Sequence, residues 1–178
     1  MSLQGCGNAV PSRSMTMTGD DMSLEEKIVA LLESKGYHIT TAESCTGGLL
    51  AGRILDVAGA STVFNEGYIT YANESKERLV GVSHDTLSKY GAVSHQTAAE
   101  MALGACRASG AEVALSTTGI AGPGGGSKEK PVGLIYVGCA VKGSVDVLEL
   151  RLGGDRKANR NGAVEEALKF LCQILSNS

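Results

Sequence analysis

The sequence predicts a single three-layer α/β/α domain with a mixed β-sheet, and three observations support that class. Helical and strand patterns alternate along most of the chain, which is typical of a sheet covered by helices on both faces. Two adjacent strand patterns joined by a short turn then predict a hairpin, so parallel and antiparallel pairs should share one sheet. The length of 178 residues fits one domain with its own core.

The domain begins after a segment without periodicity. Residues 1–22 are rich in Ser, Thr, Gly and Met, and we expect a disordered leader there and a domain over 23–178. Ser23 and Glu26 form a capping box, which predicts a helix start, and Gly36 predicts its end.

The remaining elements follow from β-branched runs, apolar periodicity and glycine breaks. The predicted order is a strand at 37–42, a helix after Gly47 and Gly48, a strand at 62–72, helices at 74–80, 84–90 and 94–108, strands at 112–118, 132–141 and 145–152, and a helix from Asp155 through Leu175.

Composition excludes several functional classes. The net charge of −3 argues against a nucleic-acid-binding protein, which normally carries a basic surface. No apolar run approaches the ~18 residues of a membrane span, so no membrane association is expected. The five Cys form no CxxC pair and the three His lack the spacing of metal ligands, so we expect reduced thiols and no bound metal. We also expect no cofactor and a cytoplasmic location.

The motif TAESCTGG, residues 41–48, leads from a strand into a helix. Ser44, Thr46 and the amides of Gly47 and Gly48 are placed to hold an anionic or carbonyl oxygen of a ligand at the helix start. The alternative is a helix cap followed by a tight turn. The spacing matches neither a dinucleotide-binding fingerprint nor a P-loop.

The stretch at 59–76 carries the groups that an acyl-transfer site needs, namely Ser61, Tyr71 and Lys76. A serine hydroxyl requires a neighbouring base, and a lysine becomes one when burial lowers its pKa. The alternative makes Ser61 a cap, Tyr71 a strand residue and Lys76 a solvated charge. On local sequence alone, that alternative is the simpler interpretation.

A glycine-rich loop at 119–133 follows the strand that ends near Thr118. Exposed amides in such a loop allow the backbone to approach a ligand closely, and strand ends of α/β sheets are common binding positions. The alternative is a long flexible loop without function.

The turn GGDRKANR, residues 153–160, places Arg156 and Lys157 in the first turn of a helix. Cations are mildly unfavourable at a helix start, so their presence suggests a bound anion. A solvated basic turn is the alternative.

Taken together, the motifs TAESCTGG, TYANESK, GAVS, TGIAGPGGGS and GDR resemble one family in their order and spacing. That family is the C-terminal domain of the competence/damage-inducible protein CinA, and the resemblance covers residues 24–175. It implies a nicotinamide-nucleotide amidase that converts nicotinamide mononucleotide to nicotinate mononucleotide and ammonia in pyridine nucleotide salvage. It also implies self-association of the chain.

The resemblance assigns a serine-amidase mechanism without His or metal. Ser61 matches the position of the nucleophile, Lys76 that of the base and Tyr71 that of a residue assisting proton transfer. Ser44 would line the same pocket and is the alternative nucleophile.

The resemblance also distributes substrate contacts. Thr118, Gly119 and the glycine-rich loop would hold the substrate, and Arg156 would face its 5′-phosphate. A second hypothesis is a non-catalytic nucleotide-binding or regulatory module of competence or the DNA-damage response. Turnover separates the two hypotheses.

Overall fold

A five-stranded mixed sheet between two layers of helices organises the computed structural model, which describes residues 22–177. The predicted leader at 1–22 lies outside the described residues except for Met22. The elements in chain order are α1 (Leu24–Lys35), β1 (Ile39–Glu43), α2 (Leu49–Leu55), a 3₁₀ turn (Ala60–Thr62), β2 (Tyr68–Ile69), α3 (Asn73–Val80), α4 (His84–Tyr90), α5 (His95–Ser109), β3 (Val113–Gly119), β4 (Leu134–Val141), β5 (Ser144–Arg151) and α6 (Arg156–Ser176).

The strands lie in the order β2-β1-β3-β4-β5. β1 is parallel to β2 and β3, whereas β4 is antiparallel to both of its neighbours. The mixed sheet is therefore confirmed. Because β1 and β3 are parallel, their carboxyl ends meet at one edge, with Glu43 opposite Thr117.

The predicted hairpin is also confirmed. β4 and β5 are joined by Lys142 and Gly143, whose φ angles of 49° and 87° are both positive. Two consecutive positive φ angles are what a type I′ turn requires, and that turn matches the twist of antiparallel strands.

Two apolar cores lie on opposite faces of the sheet, which confirms the three layers. One core packs α1, α2 and α6 against the sheet, and the other packs α3, α4 and α5 against it. In the second layer, a Cβ at Gly104 of α5 would collide with the carbonyl of Val80 at the end of α3. Glycine therefore lets these two helices approach each other closely.

Local signals placed several helix ends correctly. Ser23 and Glu26 form the capping box of α1, and Gly36 ends that helix with a positive φ of 65°. Ser94 accepts a hydrogen bond from the N–H of Thr97 at the start of α5, and Asp155 caps α6 in the same way.

The strand predicted at 62–72 is wrong over most of its length. The chain bridges to β1 at Phe64 and pairs again only over Tyr68–Ile69. Between these points the carbonyl of Glu66 turns aside to accept the Thr40 hydroxyl at 2.8 Å. A Cβ at Gly67 would lie 2.7 Å from the Thr41 hydroxyl oxygen, so this turn packs tightly against β1.

Within residues 22–177, none of the helices combines the length and the apolar character that crossing a membrane requires.

Candidate active site

A cleft of about 210 Å³ opens at the carboxyl ends of β1 and β3, where α/β sheets commonly bind ligands. Five stretches of the chain surround it. Its lining residues are Ser44, Cys45, Tyr71, Asn73, Lys76, Ala92, Val93, Thr118, Gly119, Ala121 and Arg156.

The cleft brings Ser44 and Lys76 together. Ser44 directly follows β1, and its N–H donates to the carbonyl of Thr117 on β3 at 2.9 Å. Lys76 enters from α3 and places its Nζ 3.2 Å from the Ser44 Oγ. Lys76 is only 1% exposed and Ser44 8% exposed, so both groups are shielded from bulk water. A hydroxyl and a neutral amine at this distance have the geometry that a nucleophile–base pair requires.

Two backbone carbonyls orient the Lys76 amine. Its Nζ lies 2.8 Å from the carbonyl oxygen of Thr70 and 3.4 Å from that of Tyr71. A neutral amine has two N–H donors and one lone pair. When the carbonyls accept both donors, the lone pair is left for the Ser44 hydroxyl.

Burial lowers the pKa of Lys76 below its ordinary value of 10.5, whereas the charge of the nearby Glu74 carboxylate opposes that shift. The lowered pKa increases the neutral fraction, which is the form that can accept a proton. Cys45, which also lines the cleft, behaves differently because burial raises the pKa of its thiol to about 11. That thiol therefore stays protonated near neutral pH and is a poor nucleophile.

The structure does not bring Ser61 to Lys76. Ser61 is exposed on the 3₁₀ turn, and the adjoining Val63 carbonyl accepts the N–H of Ile39 at the start of β1. The cleft lies at the other end of β1, four residues of extended chain away, which is about 13 Å. The geometry therefore favours Ser44, the alternative nucleophile, over Ser61.

Glu43 fills the helix start where the sequence predicted a ligand cradle. Its buried Oε2 accepts the N–H groups of Gly48 at 2.9 Å and Leu50 at 3.0 Å, and Oε1 accepts that of Ala51 at 2.8 Å. The Thr46 hydroxyl also donates to Oε2, at 2.7 Å. The predicted ligand-binding roles of Thr46 and the Gly48 amide are therefore corrected to structural ones.

Gly47 belongs to the same turn but does not line the cleft. Its φ of 59° lies in the left-handed region, and the position of a Cβ would face Arg160 at 3.5 Å. Its predicted substrate contact is replaced by a role in turning the chain.

Thr118 and Gly119, which are predicted to hold the substrate, both line the cleft. The Thr118 hydroxyl donates to the Ala92 carbonyl at 2.7 Å and so fixes one wall of the cleft. At Gly119, a Cβ would lie 2.5 Å from the Ile135 side chain, so only glycine fits beside β4.

Arg156 and Tyr71 meet at the rim of the cleft. Arg156 donates to the Gly122 carbonyl at 2.8 Å and to the Tyr71 phenol oxygen at 3.2 Å. Because the phenol oxygen accepts from Arg156, its own O–H stays available to donate. Tyr71 is 63% exposed, so its phenol is accessible from solvent.

Three side chains that support the cleft were not predicted from the sequence. Glu43 caps α2, Arg160 holds the loop after Ser44, and Lys130 donates to the carbonyls of Tyr90 and Val93, both at 2.7 Å. Glu43 and Arg160 stand inside the motifs TAESCTGG and GGDRKANR. The partners of Glu43 lie within eight residues of it, whereas those of Arg160 lie 114 and 115 positions away.

Comparisons with known proteins identify relatives over nearly the whole described chain. The family model of the CinA C-terminal domain matches residues 21–175 of this chain. A CinA-like protein of Kosmotoga olearia is 55% identical over 153 residues, which are 86% of this chain and 37% of that protein. The chain spans 36–38% of the length of four curated relatives that it matches.

Solved structures agree with the fold. The competence/damage inducible protein CihA of Agrobacterium tumefaciens is 45% identical with a TM-score of 0.82, over 86% of this chain and 93% of that one. A CinA superfamily protein of Klebsiella pneumoniae is 32% identical with a TM-score of 0.84, over 87% of this chain and 97% of that one.

Proposed function

Because the chain belongs to the CinA C-terminal domain family, we propose that it is an amidase that hydrolyses nicotinamide mononucleotide to nicotinate mononucleotide and ammonia. The observation that carries the proposal is the 3.2 Å approach of a buried lysine amine to a serine hydroxyl inside the cleft. In this assignment Ser44 is the nucleophile and Lys76 is the general base.

The first chemical step is acylation of Ser44. Neutral Lys76 takes the hydroxyl proton while Oγ attacks the carboxamide carbon, and a tetrahedral intermediate forms. The protonated Lys76 then returns a proton to the amide nitrogen, the C–N bond breaks and ammonia leaves. An ester between Ser44 and the nicotinate mononucleotide acyl group remains.

The second step is hydrolysis of that ester. Neutral Lys76 accepts a proton from water, which attacks the acyl carbon, and Ser44 Oγ leaves with the proton from Lys76. The Tyr71 O–H supplies a further hydrogen-bond donor at the rim, for the leaving nitrogen or for the substrate. No residue other than these three is needed to move a proton.

The walls of the cleft fit a substrate that has a flat ring near the reacting pair and an anionic group farther away. Ala92, Val93 and Ala121 provide small apolar surfaces beside the reacting pair. Arg156 lies at the rim with two of its five N–H donors used by Gly122 and Tyr71, so others remain for a phosphate. Binding energy from a phosphate acts far from the reacting carbon and fixes its position.

The test is ammonia release from nicotinamide mononucleotide in the presence of EDTA. The wild type and the matched variant Ser61→Ala should release ammonia at equal rates, whereas Ser44→Ala should lose at least ~10³-fold in kcat. An active Ser44→Ala beside an inactive Ser61→Ala would transfer the nucleophile to Ser61. A folded wild type that binds the nucleotide without turnover would instead indicate a binding module.

A further inference from the structure

We propose that Arg160 is a positioning residue that holds the loop after Ser44 and thereby presents the Ser44 hydroxyl to Lys76. The inference rests on the proposed function, since it assigns a task within the same site. The resemblance gave Arg160 no role, and the residue does not line the cleft.

The contact that carries the proposal joins α6 to two successive peptide groups. Arg160 Nε donates to the Cys45 carbonyl at 3.0 Å, and its Nη2 donates to the Thr46 carbonyl at 2.7 Å. A guanidinium is planar and presents its donors as a rigid fork, so one side chain fixes both carbonyls at once. A lysine would have to reach both carbonyls from a single nitrogen on a flexible stem, without the rigid planar fork.

Fixing the two carbonyls fixes the loop backbone. In a trans peptide the N–H points opposite to the C=O, so the N–H groups of Thr46 and Gly47 point away from Arg160. On the other side, the Ser44 N–H is held by the Thr117 carbonyl. The nucleophile is therefore fixed between a hydrogen bond to β3 and the Arg160 fork from α6.

The location of Arg160 distinguishes its expected effect from that of Arg156. Both come from the first turns of α6, but only Arg156 lines the cleft and can touch substrate. Loss of Arg156 should raise KM. Loss of Arg160 should lower kcat on the order of 100-fold with KM within about twofold, because misplacing a reacting group by ~1 Å costs about that much.

The first experiment compares Arg160→Ala with Arg107→Ala, which removes an exposed arginine on α5. With nicotinamide mononucleotide as substrate, kcat should fall in Arg160→Ala and stay unchanged in Arg107→Ala. Added guanidinium ion at non-denaturing concentration should restore part of kcat, since it can occupy the vacated position. The kcat of Arg160→Lys should lie between those of the wild type and Arg160→Ala. If Arg160→Ala does not fold, Arg160→Lys is the variant that tests the proposal.

The second experiment reads the loop without amidase turnover. Phenylmethylsulfonyl fluoride forms a bond from sulfur to the serine Oγ, fluoride leaves, and Lys76 takes the hydroxyl proton. Intact-mass measurement with peptide mapping should show Ser44 labelled in the wild type and in Arg107→Ala, and at least ~10-fold more slowly in Arg160→Ala and Arg160→Lys.

The outcomes separate the two proposals. Equal labelling of Ser44 in the wild type and a folded Arg160 variant would overturn the positioning role and leave the amidase proposal standing. A wild type that is not labelled at Ser44 would overturn both, since no reactive serine would exist there to be positioned. If KM of Arg160→Ala rises by the same factor as its kcat falls, Arg160 contacts the substrate and the positioning role is refuted as well.

Discussion

Replacing Glu43 by glutamine should destabilise the fold more than any comparable carboxylate-to-amide change on the surface. The side chain keeps its size, but one oxygen that only accepts hydrogen bonds becomes an NH₂ group that only donates. If that group takes the Oε2 position, it faces the N–H groups of Gly48 and Leu50; at Oε1 it faces the N–H of Ala51. In either orientation at least one buried or part-buried backbone N–H at the start of α2 loses its acceptor.

The magnitude follows from these contacts. An unpaired buried N–H costs about 1–3 kcal/mol, and loss of a negative charge at a helix start costs about 0.3–1 kcal/mol more. We therefore expect Glu43→Gln to lower the free energy of unfolding by about 1.3–4 kcal/mol. For a domain of this size, that corresponds to a Tm lower by roughly 3–16 °C.

The assay is thermal and urea unfolding followed by circular dichroism. The matched control is Glu166→Gln, which removes an exposed ion pair to Lys169 at 2.9 Å and should cost less than about 1 kcal/mol. If the Tm of Glu43→Gln lies within about 2 °C of that of the control, the carboxylate does not cap α2 and the reasoning is refuted.

The other predictions concern two lysines at the cleft. Because burial lowers the pKa of Lys76 from 10.5, kcat should rise with pH through that lowered pKa, and a limb centred at or above 10.5 would contradict the assignment. Between the lowered pKa and pH 10.5, Lys76 is protonated in the unfolded chain and neutral in the folded chain. The stability of the wild type therefore falls as pH drops from 10.5 to the lowered pKa. Lys76→Met should therefore abolish turnover and raise Tm near neutral pH, with the gain disappearing towards pH 10.5; a lower Tm at neutral pH would refute this. Lys130→Met should raise KM on the order of 10-fold by releasing the wall at Ala92 and Val93, whereas the exposed Lys128→Met should leave KM unchanged.

The architecture was predictable because its signals are local. Ser23, Ser94 and Asp155 cap helices through residues three positions away, and Lys142 and Gly143 close a hairpin between adjacent strands. Such features need no knowledge of distant parts of the chain. The strand at 62–72 failed because its alternation of apolar residues is also compatible with an irregular edge that touches β1 at only two points.

The site was predictable only in part, because its contacts are not local. Lys76 and Tyr71 were identified through the resemblance of the sequence to a known family. The partner of Lys76, however, is Ser44, which lies 32 positions away in the sequence. Ser61 is closer to Lys76 along the chain, but the direction of β1 places it at the opposite end of the sheet. Arg160 reaches back 115 positions to Cys45, and nothing in its local sequence marks that contact.

The direct test of the Ser44 assignment is to trap the acyl-enzyme. The wild type is mixed with nicotinamide mononucleotide, quenched in acid at short times and digested for peptide mass mapping. With Ser44 as the nucleophile, the nicotinate mononucleotide acyl group should form an ester on Ser44, should be absent in Ser44→Ala and should persist in Ser61→Ala. An ester on Ser61, or ammonia release without an ester at any quench time that resolves the first turnover, would contradict the assignment.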